Sequence, residues 1–99
     1  MGENLSTENM EHLEGREGWA IFGRWPLLIR QFGRGLAASV EWNVGTRTWV
    51  AKLFNCGHWT VCPEGDPCLS EALDWCEVQA RAALERREKR RKQRKGGPR

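Results

Sequence analysis

No stretch of the chain approaches the roughly 18 consecutive apolar residues that a membrane-spanning helix needs. Met1–Glu17 is acidic and polar, unlike the basic and apolar start of a secretory signal, so the expected setting is a cytoplasm, where thiols stay reduced. Tyrosine is absent and histidine occurs twice, with His12 in the acidic head. No Gly-rich phosphate loop and no paired-carboxylate motif accompanies them. Cys62 and His58 have the composition of a nucleophile and its base, but they stand two side-chain steps apart on one strand. Nothing meets the geometric requirements of an active site, and no enzyme is expected. The four cysteines, Cys56, Cys62, Cys68 and Cys76, follow the spacing C-x5-C-x5-C-x7-C, without the C-x2-C knuckle of common zinc modules. No metal and no cofactor is expected; a small zinc-binding module using these cysteines and His58 is an alternative.

What the chain does have is sorted charge. Residues 1–18 hold five glutamates against Arg16, a net −4. Residues 19–80 sum to −1 and carry nearly all the large apolar side chains. Residues 81–99 hold ten bases against Glu85 and Glu88, a net +8. The organisation expected is an acidic, flexible head over 1–18, a folded unit over 19–84, and a basic helix extension and tail over 85–99. A folded unit of this size buries only about 60% of its unfolded surface, which leaves little room for a deep pocket.

Two Asn-x-Gly turns, Asn43-Val44-Gly45 and Asn55-Cys56-Gly57, separate β-prone runs. Read as three-residue hairpin loops with glycine in the left-handed position, they join strands over Leu36–Trp42, Thr46–Phe54 and His58–Cys62. Glu41 is then predicted opposite Arg47, Leu53 opposite Trp59, and Ala51 opposite Val61. One sheet face receives Trp49, Leu53, Trp59 and Val61, the other Trp42, Lys52, Phe54 and His58. Leu27–Phe32 reads as a further strand, and Pro26 at its start suggests a sheet edge.

Leu69, Leu73, Cys76, Ala80, Ala83 and Leu84 recur at helical spacing behind Ser70, a good N-cap, with Glu71 and Asp74 in the first turns. The helix is predicted to cover the Trp49/Leu53/Trp59/Val61 face and to continue beyond Leu84 as a solvated end. The fold class expected is α+β: a three- or four-stranded antiparallel meander packed on one long C-terminal helix. Ser6–Glu14 has the length for a short helix.

Two surfaces suit binding. Arg86, Arg87, Lys89, Arg90, Arg91, Lys92, Arg94 and Lys95 form a basic run fit for phosphate contacts with a nucleic acid or another anionic partner. Trp42, Lys52, Phe54 and His58 combine aromatic rings with a base, a composition suited to stacking bases or to anchoring a partner protein. A second copy of the chain, forming a homodimer, is another cover for that face.

The order acidic head, strands, helix, basic tail, with Leu69-Ser70-Glu71-Ala72-Leu73 directly after the last strand, resembles small orphan proteins of phages and prophages built as a β-meander closed by one helix. The resemblance spans Leu27–Leu84. It implies a host-cell cytoplasm and a non-enzymatic binding role, often inhibition of a host complex. The strand order is also similar to the double-stranded-RNA-binding domain, whose second helix opens with lysines. Ser70, Glu71 and Asp74 hold that place here, which turns the reading away from duplex RNA at this helix start. The function expected is a small binding module, without membrane contact, whose tail reaches nucleic acid or the nucleic-acid channel of a host nucleoprotein complex. The alternative is a protein-only inhibitor of a host protein acting through the Trp/Phe face.

Overall fold

A computed structural model describes residues 7–22 and 27–96; the side chains of Thr7, Glu8, His12, Arg94 and Lys95 lie outside that description. The elements are α1 (Thr7–Glu14), β1 (Ala20–Phe22), β2 (Leu27–Gly33), β3 (Leu36–Asn43), β4 (Thr48–Asn55), β5 (His58–Val61) and α2 (Leu69–Gly96). The five strands form one antiparallel meander in sequence order, and α2 packs on one face of it. The class is α+β. No described helix is long and apolar enough to cross a membrane.

The core follows from two periodicities meeting. Alternation along the strands turns Leu28, Leu36, Ala38, Val40, Trp49, Ala51 and Leu53 toward α2, and all are buried. The 3.6-residue period of α2 presents Leu69, Leu73, Cys76, Ala80 and Ala83 to them, also buried. Trp49 is the largest buried side chain, with the ring of Trp42 edge-on to it at 5.1 Å.

The register differs from the sequence expectation at both turns. Trp42 pairs with Trp49 and Asn43 with Thr48, so the first loop is four residues, Val44–Arg47. Asn43 Oδ1 accepts from the backbone N–H of Gly45 and of Thr46, and the Arg47 N–H donates to the Asn43 carbonyl at 2.7 Å. These bonds carry the turn past Gly45, and the left-handed position falls on Arg47, at φ 57°. The second loop is two residues, because Asn55 pairs with His58. Cys56 and Gly57 both take positive φ, 49° and 93°, the signature of a type I′ turn.

Each shift is an odd number of residues, so each exchanges faces. Glu41 lies opposite Val50, and Trp59 lies opposite Phe54 rather than Leu53. Trp49 and Leu53 sit under the helix as expected. Trp59 and Val61 do not: they point to the far face and are 60% and 48% exposed. Trp42 makes the opposite exchange and packs on the helix side.

Three further differences have local causes. β2 is no edge strand, because Ala20–Phe22 pairs along Leu27–Ile29; Pro26 itself lies outside the described residues. The first intrahelical bond of α2 runs from the Ala72 N–H to the Cys68 carbonyl, so Cys68 is the capping residue in place of Ser70. Asp66 Oδ1 accepts from the Cys68 N–H at 2.8 Å and fixes that start. The acidic head is anchored at Met10, Leu13 and Arg16: Leu13 is buried and Met10 packs beside it. Arg16 bonds Asp74 at 2.8 Å and Glu77 at 3.0 Å. The packed unit therefore begins before Trp19.

Trp49→Ala is expected to cost about 3–5 kcal/mol, as for other large core truncations. Trp59→Ala should cost about 1 kcal/mol or less, since it removes mainly exposed surface. Urea titrations followed by circular dichroism at submicromolar protein check the pair, and equal losses would contradict the register.

Candidate functional site

The basic run is the distal half of α2, a 28-residue helix about 42 Å long at 1.5 Å per residue. Glu88–Gln93 are all exposed, and the apolar stripe ends at Ala83 and Leu84. Arg87 takes the next position on that stripe. Its guanidinium reaches back to the sheet, donating to the Arg34 carbonyl at 2.8 Å, Asn55 Oδ1 at 2.7 Å and Cys56 Sγ at 3.2 Å. Arg87 thus ties α2 to the β2–β3 and β4–β5 turns, and it leaves the set of side chains free to meet a phosphate. Gly35 lets those turns approach: its φ is 67°, and a Cβ there would lie 3.2 Å from Cys56 Sγ.

Arg91 donates to both carboxylate oxygens of Glu88 at 3.0 Å, an exposed pair one helical turn apart. Arg86, Lys89, Arg90 and Lys92 are exposed and make no ion pair among the described residues. Arg86, Lys89 and Arg90 follow i, i+3, i+4 spacing and share one flank of the helix. The side chains of Arg94 and Lys95 lie outside the described residues.

The proximal half of α2 has the opposite character. Glu77 accepts from Arg16, from Arg30 at 3.3 Å and from Trp19 Nε1 at 3.2 Å, joining the head and β2 to the helix. Arg30 also lies over the Phe32 ring, 4.5 Å from its centroid. Burial opposes the Arg16 charge, but hydrogen bonds and the charges of Asp74 and Glu77 outweigh it and raise the group above its ordinary value. Nearby, a cleft of about 410 Å³ is floored by Trp49, Cys62 and Trp75 and rimmed by Glu64, Asp66 and Glu71. A hydrogen bond to Asp66, and then the Asp66 charge, push the Glu71 carboxyl above its usual range.

The second candidate surface does not assemble as expected. The corrected register leaves Lys52 and Phe54 on the open face, while Trp42 and His58 fall on the helix side. In their place Trp59 joins Phe54, ring centroids 5.1 Å apart, with Val50 and Val61 beside them. Phe22, Leu27 and Ile29 extend the same face across β1 and β2. Reading Cys56-Gly57 as a two-residue turn is the signal that would have found Trp59. The part played by Arg87 was legible only as the next step of the stripe after Ala83.

All four cysteines are free. Cys62 Sγ donates to the Glu64 carbonyl and Cys68 Sγ meets Ser70 Oγ, while Cys56 sits at the far end of the sheet beside Arg87. Among the described residues no three His, Cys, Asp or Glu side chains come together as a metal site. Cys76, on the sheet-facing side of α2, is wholly buried, and burial pushes its thiol up to about 12. Comparison of the chain with protein-family models, curated proteins and solved structures finds no match.

Arg87→Ala is expected to cost about 1–2 kcal/mol, because it strands the Asn55 and Arg34 acceptors. Urea titrations check this, and in them Lys89→Ala and Arg90→Ala should stay within about 0.5 kcal/mol of the parent.

Cys76 sets a pH dependence. Its raised value means the folded state holds the thiol proton more tightly than the unfolded chain. That contribution is complete below the ordinary thiol value of 9.0 and is lost as pH rises from there toward about 12. At mildly alkaline pH, iodoacetamide should modify Cys56 and Cys68 in the native protein and reach Cys76 only at the rate of unfolding. Rapid native labelling of Cys76 would show that it is not enclosed.

Proposed function

We propose that this chain is a non-enzymatic binding module whose projecting helix end contacts the phosphate backbone of a nucleic acid, free or within a nucleoprotein complex. The observation that carries the reading is the continuation of α2 past Arg87, its last tie to the sheet among the described residues, as an exposed helix bearing Lys89, Arg90 and Lys92. Like charges at i, i+3 and i+4 repel, which weakens an isolated helix. A polyanion removes that repulsion and releases its own counterions, so the cost of the arrangement is recovered on binding. The phage-orphan resemblance, with its implied host-cytoplasmic binding role, agrees with this reading.

A protein-only inhibitor using the open sheet face is the second reading, supported by the exposure of Trp59 beside Phe54. Among the described residues that face carries one acid, Glu41, and one base, Lys52, which together offer little field to draw a charged partner. The helix end offers such a field, which is why it ranks first.

Anisotropy of labelled single-stranded and duplex oligonucleotides across a salt series tests the proposal. With about four phosphate contacts, the log–log slope of affinity against salt should be about −2.8 for single strands and about −3.6 for duplex. Deleting Lys89 onward keeps the Arg87 tie and should remove most of that slope while the thermal melt holds. Salt-independent binding, or binding untouched by the deletion, would overturn the reading.

A further inference from the structure

We propose that the uncovered sheet face docks a second copy of this chain, giving a two-fold dimer held by apolar burial and by reciprocal Glu41–Lys52 pairs. The inference rests on the sheet alone and is independent of the helix end. An antiparallel sheet with one face in water normally alternates apolar inward and polar outward. Here the outward positions of β4 and β5 include Val50, Phe54, Trp59 and Val61, and β1 and β2 add Phe22 and Leu27. Exposure reaches 51% at Phe22 and 60% at Trp59. These apolar side chains crowd both edges of the face, with Ala37, Ser39 and Glu41 of β3 between them, and exposed apolar surface of this kind marks an interaction site.

Size is the first argument for a copy. Five strands about 4.8 Å apart and roughly six residues long, at about 3.4 Å per residue, make a face roughly 24 by 20 Å. Two such faces pressed together bury on the order of 1,000 Å², where specific interfaces begin. Packed sheets of this kind form ordinary protein cores.

Charge is the second argument. Glu41 lies opposite Val50, one side-chain step from Lys52 on the neighbouring strand. Neither residue forms an ion pair among the described residues. Both line a depression of about 330 Å³ between β3 and β4. A two-fold axis lying between the faces and passing over that depression carries each Glu41 onto the other copy's Lys52. An isologous contact needs this kind of self-complementarity, whereas a uniformly acidic or basic face would repel its own copy. Burial between sheets also strengthens the pair relative to water.

Sedimentation equilibrium across a micromolar to submillimolar series tests this. The wild-type chain should dimerise, and Trp59→Glu should be monomeric with an unchanged circular dichroism spectrum. Glu41→Lys and Lys52→Glu should each weaken the dimer by about tenfold or more, by placing like charges opposite one another. The double variant should regain affinity, because reversal restores both pairs. These two substitutions leave the apolar surface in place, so they report on the interface even if Trp59→Glu unfolds. A wild-type chain that stays monomeric throughout, a dimer that survives Trp59→Glu, or a double variant no better than the singles would overturn the proposal.

Discussion

Side-chain parity on β4 decides what this molecule hides and what it displays. A strand has only two faces, so the odd residues Trp49, Ala51 and Leu53 go to the helix and the even residues Val50, Lys52 and Phe54 go outward. The turns at either end pass that assignment to the neighbouring strands. The four-residue Val44–Arg47 loop brings Val40 beside Ala51 and Trp42 beside Trp49. The two-residue Cys56–Gly57 turn puts Trp59 beside Phe54. The core, the open face and the route of α2 are downstream of those two loop lengths.

α2 is the second organising element, and its charges are sorted along its axis. Asp74 and Glu77 near its start hold Arg16 and Arg30, while bases crowd its end. Glu71 in the first turn suits the helix dipole, which favours acids at the N-terminus, while Asp74 and Glu77 act through their pairing with the arginines. The ties differ in kind, however. Around Glu77 they are ion pairs between charged side chains. At Arg87 they run from one guanidinium to a backbone carbonyl, an amide oxygen and a thiol sulfur. The junction between packed helix and projecting helix is therefore held without a carboxylate.

The parts of this fold that were legible in the sequence are those where a signal repeats. Leu69, Leu73, Cys76, Ala80 and Ala83 state the buried face of α2 several times over, so a single ambiguous residue does not change it. Gly35 and Gly57 locate turns because both hold positive φ. Loop length is stated only once at each turn, and Asn-x-Gly suits loops of different lengths. One error there flips a whole strand, which is how Trp59 and Trp42 exchanged sides. β1 has only three residues, all exposed, and carries no alternation to read. The head lacked an apolar period, and its anchoring depends on where Arg16 meets Glu77, a contact 61 residues apart in sequence. Arg87 was hidden for a different reason: among eight bases its charge says nothing, and only its phase on the helix separates it from Arg86.

The two proposed surfaces reinforce one another in a way neither requires. A face-to-face pair would stack helix, sheet, sheet, helix, with both α2 elements on the outside and both basic ends uncovered. Each end would offer few phosphate contacts, so one chain alone would hold a polyanion weakly at physiological salt. Two ends fixed on one rigid body turn the second contact into an intramolecular event, and avidity rises by orders of magnitude wherever the anion spans both. One chain presents one such helix end, which limits its footprint on the anion. Pairing through the sheet face opposite α2 would widen that footprint without adding a residue, and it would bury the exposed Trp59 and cover the half-buried Phe54.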